Sequence, residues 1–341
     1  MFARSGSAER AAADDGTLMD MDEAQDAHGD GRPDRLGFRG RPEDLYEIDP
    51  DLAEELDGVA PVLIVALDGY VDAGSGVEIV VKSLREDPDR AVAVTFDADG
   101  LIDYRSRRPG LTFSGNAFTA YETPHLTIER LRDATGTPYL LFTGPEPDLS
   151  WEKFCVAVQQ VIERLGVRLT IALMSIPMGV PHTRPIGTSV HATRKEILPK
   201  TQNWIGSIEV PGHVSGLIEY RLGENGHDAL GFAAHVPHYL ARSEYPIAAR
   251  TLIDAAAKAA GLVLPTENLT APIAEMWAEL AKQLDEHGEI AEVVHALEKQ
   301  YDAFMAANGN SLLGASEPIP TADEIAAQFE AYLAGQDGPD A

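Results

Sequence analysis

A chain of 341 residues with a hydrophobic fraction of 44% is long enough for one large domain, or for one domain with appendages, around a sizeable core. No apolar run approaches the roughly 20 residues of a membrane-spanning helix, and the N-terminus has no apolar stretch typical of a secretion signal. The single cysteine, Cys155, excludes an internal disulfide and a cysteine-rich metal site, and its apolar helical neighbours indicate a packed thiol rather than a nucleophile. We therefore expect a protein of the reducing cytoplasm.

The net charge of −28 is concentrated at the two ends of the chain. Residues 1–57 carry 17 acidic and 6 basic side chains, residues 265–341 carry 15 and 2, and the residues between them have a net charge of only −4. Nucleic acids and anionic membranes require a basic surface, so we expect neither as a partner. Acidic ends favour solubility, and they also leave open the docking of a basic partner.

The first 57 residues predict an acidic, largely disordered segment, with a helical turn at Pro50 to Leu56. The run Val62 to Leu67 is continuously apolar, which is typical of a strand buried on both faces of a parallel sheet. The turn DGYVDAGSG and the helical spacing of VEIVVKSLR follow it. The pattern therefore predicts a strand, a Gly-rich turn and a helix.

Four more apolar runs have the character of buried strands: Ala91 to Phe96, Pro138 to Gly144, Val167 to Ser175 and Ala229 to Val236. Helices are predicted at Trp151 to Leu165, around residues 212–226 and at Pro246 to Gly261. The stretch after Phe96 lacks a helical period and predicts a loop with an antiparallel excursion, and IPMGVPHTRPIGTSVHAT predicts a long loop. The alternation of strands and helices predicts an α/β fold, a three-layer αβα sandwich on a mostly parallel sheet.

Beyond Pro265 the pattern changes to three amphipathic helices without intervening strands: TAPIAEMWAELAKQL, IAEVVHALEKQYDAFMA and TADEIAAQFEAYLAG. Their apolar stripes must pack on another surface, most simply on the α/β body. We therefore divide the chain into an acidic segment (1–57), an α/β core (58–264), a helical subdomain (265–335) and a disordered tail (336–341).

Several separated motifs, taken in order, resemble the PAC2 family of proteasome-assembly-chaperone-like proteins, and its actinobacterial branch in particular. They are PVLIVALDGYVDAGSG, FDADGLIDYRSRRP, GPEPDLSW and HVPHYLARSEYPIAA, within a resemblance that covers about residues 58 to 335. The resemblance implies a core similar to purine nucleoside phosphorylases and related hydrolases. It also implies a β-hairpin insertion used in oligomers, a C-terminal helical lid over a pocket, and a homo-oligomer, expected to be a trimer. It implies no known reaction.

The first candidate site is the turn after the first strand. It comprises Asp68, Gly69, Tyr70, Asp72, Gly74 and Ser75. Ligands of open α/β sheets bind at the carboxyl edge of the strands, where a Gly-rich turn exposes backbone N–H groups. The two carboxylates suit a sugar hydroxyl, an amine or a metal-bound group better than a phosphate, which they would repel unless Arg105, Arg107 or Arg108 folds over them. The alternative is structural, with Asp72 capping the helix and Asp68 holding the turn.

The second candidate is the arginine-rich run in FDADGLIDYRSRRP, which comprises Asp99, Asp103, Tyr104, Arg105, Arg107 and Arg108. Guanidinium groups bind carboxylates and phosphates in a bidentate manner, so the run predicts an anion site, and Arg105 and Arg108 are the ligand-binding candidates. The alternative is a salt-bridged loop at an oligomer interface.

A third set of polar residues follows the later strands and is expected to converge with Asp68 on one crevice. It comprises Glu146, Asp148, Ser175, His182, His235 and His238. Glu146 or a histidine would serve as a general base, although each histidine alone also has a structural explanation. The histidines lack metal-ligand spacing, and no Walker A, GxGxxG or GxSxG motif is present, so we expect neither a metal nor a cofactor.

Two functions remain open at this stage. One is the binding of a small polar ligand, with or without hydrolase or transferase chemistry, in the crevice under the helical lid. The other is a non-catalytic assembly or scaffolding role for a homo-oligomer. The long polar loops favour the first, and the acidic ends and missing catalytic motifs favour the second. The sequence does not decide whether the protein is an enzyme.

Overall fold

The computed structural model describes residues 40–199, 207–286 and 288–308, which form one eight-stranded sheet, one two-stranded hairpin and flanking helices. The strands are β1 (Tyr46–Ile48), β2 (Val62–Asp68), β3 (Ala91–Phe96), β4 (Leu111–Ser114), β5 (Ala117–Tyr121), β6 (Thr127–Arg132), β7 (Pro138–Pro145), β8 (Leu169–Met178), β9 (Thr188–Ala192) and β10 (Ala229–Pro237). The helices are α1 (Pro50–Leu56), α2 (Gly76–Leu84), α3 (Ala98–Leu101), α4 (Trp151–Arg164), α5 (Val214–Glu224), α6 (Pro246–Ala260), α7 (Thr270–Glu286) and α8 (Gly288–Asn308).

The large sheet is parallel at its centre and antiparallel at both margins. Its strand order is β1-β3-β6-β7-β2-β8-β10-β9. Strand β2 runs parallel to both β7 and β8, and β8 runs parallel to β10. Strands β1, β3 and β6 on one side and β9 on the other add antiparallel pairs. The predicted α/β class is confirmed, as a mixed sheet built on four parallel central strands.

Alternation along the central strands separates the core into two layers, one on each face of the sheet. Ile64 of β2 packs with Val80 of α2 and Leu252 of α6 on the first face. Its neighbour Leu63 packs on the second face with Phe154 of α4, and α5 covers that same face. Both faces of β2 are thereby covered, which explains why Val62 to Leu67 is apolar without interruption. The three-layer αβα arrangement is confirmed.

The folded body begins before the boundary expected at residue 58. Strand β1 pairs with β3 at the edge of the sheet, and Leu45, Tyr46 and Leu56 are buried in the second core layer. Helix α1 is the helical turn expected at Pro50 to Leu56, and the Asp49 carboxylate caps it by accepting the N–H groups of Asp51 and Leu52. Residues 1–39 lie outside the described residues.

The antiparallel excursion expected after β3 is present, and the segment after β8 that was expected to be a long loop contains a strand. The excursion after β3 forms the short helix α3, the β4–β5 hairpin and then β6, which returns to the main sheet antiparallel to both β3 and β7. The long loop after β8 contains β9, the antiparallel edge partner of β10. Strand β9 was missed because TSVHA has no continuous apolar run, and the bounds of β6 were not predicted because TIERLR has none either.

Two of the three expected C-terminal helices are described, α7 and α8. Leu280 of α7 is buried in the first core layer, and Ile273 and Met276 pack against that layer. Arg184, in the loop before β9, forms ion pairs with Glu298 and Asp302 of α8. The third expected helix lies outside the described residues. Within the described ranges, no helix is both long enough and apolar enough to cross a bilayer.

Gly144, near the end of β7, tests how closely the backbone of neighbouring segments packs at the carboxyl edge of the sheet. Its φ is +123°, and a Cβ atom there would collide with the backbone of His125 and Leu126. We expect Gly144→Ala to lower the free energy of unfolding by about 3 kcal/mol or more in urea titrations, because strain and overpacking add. Gly166→Ala is the control: φ is +63° but the Cβ position is open, so a loss of only about 1 kcal/mol is expected. Equal losses would contradict the packing argument.

Candidate functional site

The turn between β2 and α2 is held in place by its backbone. The carbonyl oxygen of Asp68 accepts the N–H of Glu146 at 2.9 Å, which joins the ends of β2 and β7. Gly74 and Ser75 adopt left-handed conformations, with φ of 68° and 50°, before α2 begins at Gly76. A Cβ atom on Gly74 would lie 2.6 Å from the Cβ of Tyr245, so only glycine permits this approach. Gly69 and Tyr70 are exposed.

The Asp72 carboxylate binds the N-terminus of α2. Its Oδ1 accepts the N–H of Val77 at 2.8 Å, and its Oδ2 accepts the N–H of Glu78 at 3.1 Å. The Ser175 hydroxyl lies 2.6 Å from Asp72 Oδ1 and 2.7 Å from the carbonyl oxygen of Ala73. Because Asp72 already places a negative charge on these N–H groups, the helix N-terminus is not available to a phosphate. The structure therefore gives Asp72 the capping role.

Asp68 differs from Asp72 because no N–H group in the described residues donates to its carboxylate. Its side chain is exposed, yet the surrounding protein removes enough solvent to raise its pKa above the ordinary value. Repulsion from Asp72 and Glu78 raises the pKa further, and Arg107 and Arg85 oppose the shift. Asp68 therefore remains as an isolated acidic group at this edge of the sheet.

The arginine-rich loop adjoins the same edge. Asp148 accepts the N–H of Asp103 at 2.9 Å and pairs with Arg107 at 3.2 Å, so it holds the loop against the segment after β7. The second and third predicted sets thus meet, through Arg107 and Asp148.

The other arginines of this loop are not anchored in this way. The Arg105 side chain is 90% exposed, and Arg108 is also exposed. Asp99 is exposed as well. Partial desolvation is the largest cause, and a hydrogen bond to Asp99 the next largest cause, of the raised pKa of the Tyr104 hydroxyl.

Glu146 is buried, and its carboxylate has a structural partner. Its Oε1 accepts the backbone N–H of Val214, the first residue of α5, at 2.5 Å. This is a capping interaction between residues distant in sequence, and it ties α5 to the end of β7.

Cys155 is also buried. Burial raises the pKa of its thiol to about 12, so it is an unreactive packed thiol.

The histidines and Ser175 do not converge on one crevice. Ser175 of β8 is aligned with Ala234 of β10, so His235, the next residue, projects from the opposite face of the sheet. His235 is buried, with its Nε2 2.7 Å from Ser189 Oγ. His238 is exposed and packs edge-to-face on Tyr239. Among this group, Ser175 alone contacts the β2–α2 turn, through Asp72.

His182 lies in a different place, beside the α7 helix. Its Nδ1 is 2.6 Å from the Tyr239 hydroxyl, and its ring centroid is 5.7 Å from that of Trp277. Both His182 and Trp277 line a cavity of about 520 Å³ between α6, α7 and the loop that precedes β9. The family resemblance implies a pocket under the C-terminal helices, but sequence patterns do not predict which residues line this cavity, because Trp277 reads as one apolar position of an amphipathic helix. Among the described residues, no group of three or more His, Cys, Asp or Glu side chains is arranged to hold a metal ion.

This architecture and these motifs define a family of α/β proteins. The model of the PAC2 family matches residues 66–284, and the chain belongs to that family. A Mycobacterium tuberculosis protein of unknown function is 45% identical over 79% of this chain and 94% of its own, with a TM-score of 0.72. A Corynebacterium glutamicum protein of unknown function is 37% identical over 77% of this chain and 99% of its own, with a TM-score of 0.73.

A further similar structure is a Mycobacterium tuberculosis proteasome-assembly chaperone homologue. It is 25% identical over 68% of this chain and 99% of its own, with a TM-score of 0.63. A comparison with curated proteins gives no match.

Substitutions at the two aspartates should separate structural from free carboxylates. We expect Asp72→Ala to lower the free energy of unfolding by about 2 kcal/mol, because two N–H groups of α2 lose their acceptor. Asp68→Asn should change it by no more than about 0.5 kcal/mol, because this carboxylate accepts no N–H group in the described residues and lies near the like charges of Asp72 and Glu78. Urea titrations at pH 7 measure both. A larger loss for Asp68→Asn than for Asp72→Ala would contradict this assignment.

His235 should make the protein sensitive to mild acid. Burial lowers its pKa to about 4, and its Nδ1 has no partner in the described structure. Below a pH of about 6.5, the pKa of histidine in the unfolded chain, His235 is protonated in the unfolded state but stays neutral in the folded state. The free energy of unfolding therefore falls as the pH decreases. We expect His235 to account for a loss of about 2 kcal/mol between pH 7 and pH 5.

Urea titrations at the two pH values, on wild type and on His235→Gln, measure this loss, and the variant should show a correspondingly smaller decrease. His125→Gln, at an exposed position, should behave as the wild type does. An identical decrease in wild type and His235→Gln would show that other groups cause it.

Proposed function

We propose that this PAC2 family protein is a non-catalytic assembly protein that works as a homo-oligomer, with the β4–β5 hairpin as its self-association surface. The observation that carries the proposal is the exposure of four large apolar side chains on this short hairpin. Phe113 and Phe118 are 62% and 68% exposed, and Leu111 and Tyr121 are 54% and 50% exposed. Clustered exposed apolar residues of this kind mark interaction sites in folded proteins.

The geometry of the hairpin supports a preformed contact. Gly115 and Asn116 both have positive φ, as a tight hairpin turn requires, and the Phe113 and Phe118 rings pack edge-to-face with centroids 5.2 Å apart. Strands β4 and β5 pair only with each other, and an isolated two-stranded hairpin is marginally stable in water. Burial against another chain would supply the missing hydrophobic contact.

Two exposed arginines beside the hairpin can pair with carboxylates of a second copy of the chain. Arg105 and Arg108 are exposed in the loop that leads into the hairpin. Copies of a chain with a net charge of −28 repel one another overall, and carboxylates placed opposite these guanidinium groups would offset part of that repulsion. Together with the family resemblance, this supports a closed cyclic assembly, and we propose a trimer.

The similarity to a proteasome-assembly chaperone homologue supports an assembly role. The polar crevice expected at the β2–α2 turn gives less support to a ligand-binding or hydrolytic role there. The carboxylates of Asp72 and Glu146 both accept hydrogen bonds from N–H groups at helix N-termini. His235 lies on the face of the sheet opposite to that of Ser175. Of the three carboxylates Asp68, Asp72 and Glu146, Asp68 is the one without a hydrogen-bond donor in the described residues.

The hairpin can be tested directly. We expect Phe113→Ser/Phe118→Ser to convert a homo-oligomer into a monomer at micromolar concentration, because the aromatic contact between copies is lost. Light scattering coupled to size exclusion measures the mass, and circular dichroism should be unchanged because neither side chain is buried.

Tyr220→Ser is the matched control: it removes one aromatic side chain, 58% exposed, from α5, and should leave the mass unchanged. A monomeric wild type, or a double variant with the wild-type mass, would refute the proposed surface.

A further inference from the structure

The cavity beside α6 and α7 has the size of a small-molecule site. Its volume of about 520 Å³ falls within the range of about 300–1,000 Å³ that is typical of ligand pockets. It lies between the loop that carries His182, the first turns of α6, and α7. None of the residues of the hairpin lines it, so its use is independent of the oligomer proposed above.

One part of the cavity lining is apolar and includes an accessible indole. Ile186, Ile247 and Ile273 line it together with Trp277, whose side chain remains 38% exposed. An indole face combined with branched aliphatic side chains favours an apolar or aromatic group of a ligand.

Two opposite charges on α6 also line the cavity, and neither is paired within the described residues. Arg250 and Asp254 lie one helical turn apart, and both are exposed. In the described structure neither side chain forms an ion pair or a hydrogen bond, with each other or with another residue. The order of a cation followed four residues later by an anion is the weaker arrangement on a helix, which is consistent with their separation.

Arg184 provides the contrast within the same cavity. Its guanidinium group binds Asp302 through two nitrogens, at 2.8 and 2.6 Å, and Glu298 through the third, at 3.1 Å. Its donors are therefore committed to α8, and it anchors that helix to the loop beside the cavity. Arg250 is left as the uncommitted guanidinium group among the described lining residues.

His182 contributes a donor rather than a charge. The Tyr239 hydroxyl accepts the backbone N–H of His182 at 2.9 Å and lies 2.6 Å from its Nδ1. If the hydroxyl proton is donated to Nδ1, the ring carries its own proton on Nε2. Burial lowers the pKa of His182, which favours this neutral form at pH 7.

We propose that the cavity binds a small zwitterion with an apolar side chain, of the class of the hydrophobic and aromatic α-amino acids. Arg250 receives the carboxylate in a bidentate contact, and Asp254 receives the ammonium group. The side chain lies against Trp277 and the three isoleucines. One ligand thereby pairs two charges that the protein leaves unpaired and covers an exposed indole.

Thermal-shift and calorimetric titrations with L-phenylalanine, L-tryptophan and L-leucine test the proposal. We expect at least one of them to bind saturably and to raise the melting temperature in a dose-dependent manner. 3-Phenylpropionate, which lacks the ammonium group, and phenethylamine, which lacks the carboxylate, should bind at least tenfold more weakly than L-phenylalanine.

The variants Arg250→Met, Asp254→Asn and Trp277→Ala should each weaken binding by at least tenfold, and all three positions are exposed enough for the fold to tolerate them. Lys258→Met removes a charge from the same helix outside the cavity and should bind as the wild type does. Phe113→Ser/Phe118→Ser should also retain binding, so that failure of the oligomer proposal is distinguishable from failure of this one.

Three results would overturn the assignment. The first is the absence of saturable binding by any of the three amino acids at millimolar concentration. The second is wild-type affinity in Arg250→Met or Asp254→Asn. The third is equal affinity for L-phenylalanine and 3-phenylpropionate, which would show that the cavity recognises an anion and does not require a zwitterion.

Discussion

The Asp72 carboxylate joins three elements at the carboxyl edge of the sheet. It lies in the turn after β2, accepts two N–H groups of α2, and is within hydrogen-bond distance of the Ser175 hydroxyl of β8. Charged acceptors at a helix N-terminus form stronger hydrogen bonds than neutral ones, and the helix dipole adds to them. The interaction requires close packing, since a Cβ atom on Gly76 would lie 2.9 Å from Ser175 Oγ.

The position of the cavity depends on this junction through a short chain of contacts. Gly74 donates its N–H to Ala241 and accepts that of Tyr245, both at 2.8 Å, so the turn before α2 fixes the start of α6. Helix α6 in turn presents Arg250 and Asp254, and α7 packs on the same core layer and brings Trp277. The contacts that cap α2 are therefore linked, through the turn before α2, to the position of α6 and of the cavity that it lines.

The two proposals concern surfaces with different physical requirements. The hairpin exposes four apolar side chains to water. Their burial would favour association with any apolar partner surface. The lining of the cavity includes one cation and one anion beside its apolar side chains, so the proposed ligand would be selected by charge as well as by shape. An assembly protein with such a cavity would combine self-association with ligand binding, and the variants proposed for each surface separate the two properties.

Local sequence patterns determine much of this protein. The central strands are predictable because burial on both faces demands continuous apolar runs, and α6 is predictable from Pro246 at its start and Gly261 at its end. The pairing of strands is different, because β6 and β9 are polar segments that become strands only where a neighbouring edge offers hydrogen bonds. The same limit applies to the sites: Asp72 could be identified as a cap candidate from its turn, but not its contact with Ser175, 103 residues away. Likewise, Trp277 and Arg250 meet around one cavity only because α7 packs against α6, since a periodic pattern specifies which face of a helix is buried and not which helix it meets.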